Sequence, residues 1–198
     1  MFATKQVIVV YPEVYEEIAI ALQHELSKVD GVDSAAWTID HYKQTLPSLS
    51  GRSHVIFIGD VEENRYSKMY LATMPNIVNL KGASFARDGT KAVVFGEGKL
   101  EQKAAFEALK ETLGYGIASG NLGWIVSRSF LATVPIVALS GPTIVAAGTV
   151  VGLGYQAVRY FKNKSEAKAL RYEQTKMAIY NFILTELDAW FGLEEKLP

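Results

Sequence analysis

Lys5-Gln-Val-Ile-Val-Val-Tyr11, followed at once by Pro12, is the stretch from which the fold is read. Val7 to Tyr11 are β-branched or aromatic without a polar break. A strand that is apolar on both faces, rather than alternating, belongs in a sheet covered on both sides. Pro12 suits the first position of a helix, and Glu13, Glu16 and Glu17 fall at its positive end. Val14, Ile18, Ala21, Leu22 and Leu26 recur at helical spacing, which predicts a helix to about Lys28, ended by Asp30-Gly31.

The pattern repeats further along. Val32–Ile39 reads as a second strand and Val55–Ile58, after Gly51-Arg-Ser-His54, as a third that stops at Gly59-Asp60. A helix is expected from about Glu62 to Ala72, broken by Pro75-Asn76, with a short strand at Ile77–Leu80. Ala83–Arg87 and Lys91–Phe95 read as a hairpin around Asp88-Gly89, or else Lys91–Phe95 returns to the parallel sheet as its final strand. Leu100–Thr112 reads as a helix. Alternating strands and helices predict the fold class α/β. The expected architecture is a three-layer, mainly parallel sheet of the Rossmann/flavodoxin-like kind over residues 1–116. An apolar helical hairpin and a long amphipathic C-terminal helix follow it.

Such sheets hold ligands beyond the C-terminal ends of their strands. That edge nominates Tyr11, Glu13, Asp40, His41, Asp60 and Glu97 as candidate ligand-binding residues. Converging carboxylates can bind a divalent cation or shift one another's pKa for acid–base work. Helix capping and solvation is the commoner role of such residues. Asp60 resembles the acceptor position of response-regulator receiver domains. The match fails, because Tyr11-Pro12-Glu13 stands where that family has an acidic pair. Gly114-Tyr-Gly116-Ile-Ala-Ser-Gly120 follows a helix rather than a strand, so the dinucleotide-binding context is missing. Gly96-Glu-Gly98-Lys99 is too short for a P-loop. His24, His41 and His54 lack paired metal spacing. His24 reads as a surface residue and His54 as structural. No catalytic residue, metal site or cofactor emerges.

The chain has 198 residues, a net charge of −1 and no cysteine. Balanced charge gives nucleic acid no basic patch to bind, and disulfides and thiolate chemistry are excluded. The N-terminus carries no secretory pattern, so the α/β part is expected on the cytoplasmic side.

Arg128 and Arg159 bracket 30 uncharged residues. Ser140-Gly141-Pro142 divides them, which predicts two helices of marginal spanning length within residues 117–161. Gly148 and Gly152 have the spacing of close helix–helix contacts and are the candidate assembly residues. The partner expected through 121–160 is the lipid bilayer or other copies of the chain, giving a homo-oligomer. Residues 162–198 read as an amphipathic helix, striped by Leu170, Met177, Tyr180, Leu184, Leu187 and Phe191 and widened by Ile183 and Trp190. It docks on the α/β domain or on a neighbouring subunit.

Three functions fit this layout. The first is a non-enzymatic, membrane-associated protein that senses a small ligand or partner and anchors or assembles through its glycine-rich hairpin. Perturbation of the membrane would be an outcome of that assembly. The second is a soluble nucleotide- or metal-dependent α/β enzyme working at the strand edge. The third is a self-assembling structural protein with the hairpin as its subunit interface.

Overall fold

The computed structural model describes residues 4–49, 51–113 and 153–191, the side chains of 110–113 and 153–161 excepted. They form a mixed α/β structure around a six-stranded, mostly parallel sheet. Its strands are β1 (Lys5–Tyr11), β2 (Val32–Thr38), β3 (His54–Ile58), β4 (Ile77–Leu80), β5 (Ala83–Asp88) and β6 (Lys91–Gly96), in the order β2-β1-β3-β6-β5-β4. β1 pairs in parallel with β2 and β3, and β3 with β6. β5 alone runs against the rest, pairing antiparallel with β4 and β6.

Lys91–Phe95 therefore fulfils both of its expected roles. It closes the hairpin with β5 and also completes the parallel sheet beside β3. Its Ala92, Val93 and Val94 are buried, as a strand hydrogen-bonded on both sides requires.

The helices are α1 (Glu16–Ser27), α2 (Ile39–Thr45), α3 (Arg65–Leu71), α4 (Lys103–Leu113) and α5 (Leu153–Trp190). Side chains alternate across a strand, so the unbroken apolar run of β1 feeds two cores. Val7, Val9, Tyr11, Ile56, Ile58 and Val94 pack with Ile18 and Leu22 of α1, Phe106 of α4 and Phe182 of α5. Ile8, Val10, Val55, Phe57 and Val93 pack on the other side with Tyr42 of α2 and Tyr66 of α3.

Three local expectations shift. Pro12 precedes a 3-10 turn at Glu13–Tyr15, and α1 begins only after it. Asp40-His41-Tyr42 is not an edge loop but lies inside α2, whose start is capped by Thr38 Oγ1 accepting from the His41 N–H. α3 begins at Arg65 rather than near Glu62, because Asn64 fixes its start. The Asn64 side chain accepts from the Tyr66 N–H at 3.0 Å and donates to the Ile58 carbonyl at 2.9 Å while fully buried. Asn64→Ala removes the cap and strands a buried carbonyl, so chemical denaturation should register a loss of about 2–3 kcal/mol. Asn64→Asp keeps the cap acceptor but not the donor. It is expected to fall between wild type and alanine.

α5 is longer than its amphipathic pattern suggests. It starts at Leu153 and continues without a break through 160 and 161, so the helix does not divide at the boundary expected between 161 and 162. The remainder of the expected hairpin, 121–152 with Gly148 and Gly152, lies outside the described residues.

The membrane reading is corrected here. Among the described residues no helix is long and apolar enough to cross a membrane. α5 is 38 residues long, but from Arg159 to Lys176 it never has more than two uncharged residues in succession. Hydrocarbon would strand those charges. A membrane-associated protein with a transmembrane helix and a membrane-perturbing assembly is not what the described structure supports. Leu170, Met177, Tyr180, Ile183, Leu187, Trp190 and Phe191, the stripe read from the sequence save the half-buried Leu184, are buried within the single chain. α5 packs chiefly along β6 and β5.

Candidate functional site

The C-terminal ends of β1, β3 and β6 lie side by side, and α5 crosses beside them. The site is built where the loop after β3 meets α5. Gly59-Asp60 leaves the strand, and Asp60 Oδ1 accepts from the backbone N–H groups of Glu62 and Glu63 at 2.8 and 3.1 Å. That turn presents three carboxylates toward one cation. Arg171 Nη1 lies 3.0 Å from Asp60 Oδ2, 3.5 Å from Glu63 Oε1 and 3.7 Å from Glu62 Oε2. Asp60, Glu63 and Arg171 are mostly buried, whereas Glu62 is exposed. Burial works against the guanidinium charge, but the attraction of Asp60, Glu63 and Glu62 outweighs it and raises the Arg171 pKa.

Tyr15 closes the cluster from below. Its hydroxyl donates to Glu63 Oε2 at 2.9 Å and lies 3.4 Å from Thr175 Oγ1. Its ring stacks on Tyr172 of α5 with centroids 5.7 Å apart. Burial and the neighbouring Glu63 carboxylate push this phenol well above its ordinary pKa. Tyr172 is pushed up to about 12 by burial, with Glu17 and Glu173 adding to it. Neither phenol ionises near neutral pH.

The next turn of α5 holds the end of β6. The Gly96 N–H donates to Thr175 Oγ1 at 2.9 Å, and that hydroxyl donates to the Arg171 carbonyl at 2.8 Å. The Gly98 N–H donates to Gln174 Oε1 at 2.8 Å, while Gln174 Nε2 donates to the Lys81 carbonyl at 2.9 Å. Lys81 and Gly82 both have positive φ and form the two-residue turn between β4 and β5. One glutamine amide thus ties two strand ends to the helix.

The residues nominated from the sequence divide between several places. Asp60 is at the centre of the cluster. Tyr11 is buried at the end of β1, its phenol raised by burial and by Glu16. Glu97 accepts hydrogen bonds from Gln102, at 2.8 Å, and Asn79, and pairs with Lys99 at 2.8 Å. Desolvation opposes its charge, but these donors prevail and hold its carboxyl below the usual range. Glu13 is exposed. Asp40 and His41 do not join the cluster. They sit in α2, where Asp40 is 3.7 Å from Arg65 of α3 and His41 packs edge-on against Trp37. Among the described residues no group of three His, Cys, Asp or Glu could hold a metal ion.

Sequence reasoning missed Tyr15, Glu63, Arg171, Gln174 and Thr175. A signal was present. Arg171, Gln174, Thr175, Ala178 and Phe182 share one helical face, polar at its start and apolar further on. A face of that kind meets first a sheet edge and then a sheet surface.

The chain matches no protein-family model, no curated protein and no solved structure.

Proposed function

We propose that the chain is a non-catalytic binding module that recognises a guanidinium or ammonium group at the C-terminal edge of its parallel strands. The observation that carries this reading is Arg171 itself. The order β2-β1-β3-β6 supports a three-layer, doubly wound, flavodoxin-like reading, in which the strand order reverses between β1 and β3 and ligands sit beyond that point. In this chain a guanidinium from its own helix occupies the neighbouring strand end and faces Asp60, Glu62 and Glu63. The internal occupant indicates what the edge prefers. Three anions around one cation leave a surplus of negative charge, which repels phosphate and attracts cations.

Acid–base catalysis is the weaker reading of the same groups. A general acid or base needs a pKa near the working pH. Glu97 is moved away from that range, and the Asp60 oxygens are taken by two backbone amides and Arg171.

The test is chemical rescue. Arg171→Ala leaves Asp60 and Glu63 facing each other without a cation and is expected to cost about 2 kcal/mol, less than a fully buried broken pair. Millimolar methylguanidinium should raise the melting temperature of wild type slightly, through the surplus carboxylate charge, and that of this variant by more, because the variant adds the vacated Arg171 position. Methylurea, equal in shape but neutral, should do nothing. Equal response to both compounds, or to neither, would remove the basis for a cation-binding edge.

A further inference from the structure

At the opposite edge of the sheet, the last turn of α5 is held by groups unrelated to the Arg171 cluster. We propose that this turn is a pH-sensitive clasp, closed by neutral His54 and opened when His54 takes up a proton.

The geometry is as follows. His54 Nε2 lies 3.1 Å from the Trp190 carbonyl oxygen. A carbonyl can only accept, so Nε2 carries the hydrogen and the neutral ring has its lone pair on Nδ1. Nδ1 is buried, with no hydrogen-bond partner among the described residues. The imidazole is gripped edge-on by two aromatic rings, Trp190 at 4.7 Å and Phe191 at 5.7 Å between centroids. Trp190 is anchored a second time, its indole N–H donating to the Gly89 carbonyl at 2.8 Å.

Protonation of His54 adds a second N–H at Nδ1, where no acceptor stands among the described residues. It also adds charge to a site that already holds two cations. Lys5, from β1, donates to the Phe191 carbonyl and lies 5.5 Å from the Phe191 ring centre. Lys91, from β6, is half-buried and donates to the Ser53 carbonyl at 3.1 Å. Among the described contacts, α5 meets the ring with Trp190 and Phe191, which do not titrate. The negative end of the helix does favour a cation, but Lys5 already supplies one. The Trp190 carbonyl is satisfied by the neutral ring, so it gains only in strength when the ring is charged. The balance agrees: burial, with the Lys5 and Lys91 charges adding, holds the His54 pKa below 6.5 against the opposing pull of that carbonyl.

The direction of the linkage follows. With the clasp open, the imidazole is solvated and titrates near its ordinary value of about 6.5. With the clasp closed it titrates lower. The open state therefore binds the proton more tightly, and the stability that neutral His54 lends is lost as pH falls through about 6.5 toward the lower, closed-state value.

The experiment uses the full chain. The His54 ring is titrated by NMR, and amide-exchange protection factors are measured for residues 187–191 between about pH 7.5 and about pH 5.5. The ring should titrate below 6.5, and protection in wild type should fall several-fold, to a ceiling of about tenfold, over that interval. His54→Gln keeps an N–H donor without a titratable group, and its protection should stay level across the same range. A ring that titrates at or above 6.5 overturns the proposal, as does an equal loss of protection in His54→Gln. Should the glutamine variant not fold, the wild-type titration decides alone: loss of protection must track the ring.

Discussion

Gly96→Ala is expected to lower the melting temperature by about 6–12 °C in a circular-dichroism melt. Gly96 is the last residue of β6 and its backbone N–H is bonded to Thr175. A β-carbon added there would sit well inside contact distance of the Arg171 carbonyl oxygen and 2.7 Å from Gln174 Cβ. The first of these is backbone in the middle of a helix, and it already accepts from Thr175. It cannot move unless α5 moves. Overpacking against rigid neighbours costs about 3 kcal/mol, and each kcal/mol shifts a chain of this size by roughly 2–4 °C. Gly51→Ala is the control. A β-carbon there meets nothing within 4 Å and the backbone is not in the left-handed region, so its melting temperature should stay near wild type. Equal melting temperatures for the two variants would show that α5 does not rest on β6 as closely as described.

The same contact explains what could and could not be read from the chain. Val7 to Val10 and Val55 to Ile58 are buried on both faces, and that alone makes them legible as strands, because a buried strand has no polar face to hide. The hairpin turn at Gly89 was legible from Asp88-Gly89. That its second strand returns to the parallel sheet was legible only as an alternative to the hairpin, and its place beside β3 was not, because pairing partners are chosen by the whole sheet and not by the strand. The long helix was legible from Lys164 onward, where its stripe is regular. Leu153–Tyr160 have no such stripe, and their apolar glycine-rich character assigned them to a different element.

The site was harder to read than the fold. Asp60 was nominated because ligands sit beyond the strand ends of such sheets. Its real partner is more than a hundred residues away in sequence, on a helix whose orientation depends on packing. Arg171 is an ordinary charged residue in the sequence; only docking gives it three carboxylates. Asp40 and His41 lie apart from that cluster for the converse reason. They follow a strand, but Thr38 caps the chain into α2 at once and carries them away from the cluster. Gly96 follows the strand read at Lys91–Phe95 and is its last residue in the structure. Its need to be glycine comes from the helix that lies against it.

Phe182→Ala should produce the other large effect. Phe182 is fully buried midway along the docked part of α5, packed edge-on against Phe85 of β5 at 5.8 Å and Trp190 at 5.3 Å. Truncation removes both aromatic contacts and leaves a cavity between a helix and a sheet that cannot collapse together, for a cost of about 3–5 kcal/mol. Against a typical total of about 5–15 kcal/mol, the urea midpoint should fall by a large fraction. Phe182→Leu keeps most of the volume and should lose less than about 1.5 kcal/mol. Because Phe182 supports Trp190, the alanine variant should also loosen the last turn of α5. Arg171→Ala should leave that turn alone. The two positions are 11 residues apart, roughly 16 Å along a helix, and share no partner. Their effects should therefore add to within about 0.5 kcal/mol in the double variant. A clearly larger combined loss would mean that α5 seats on the sheet as one rigid unit. In that case the edge cluster and the clasp at the far end would be coupled through the helix rather than acting as separate anchors.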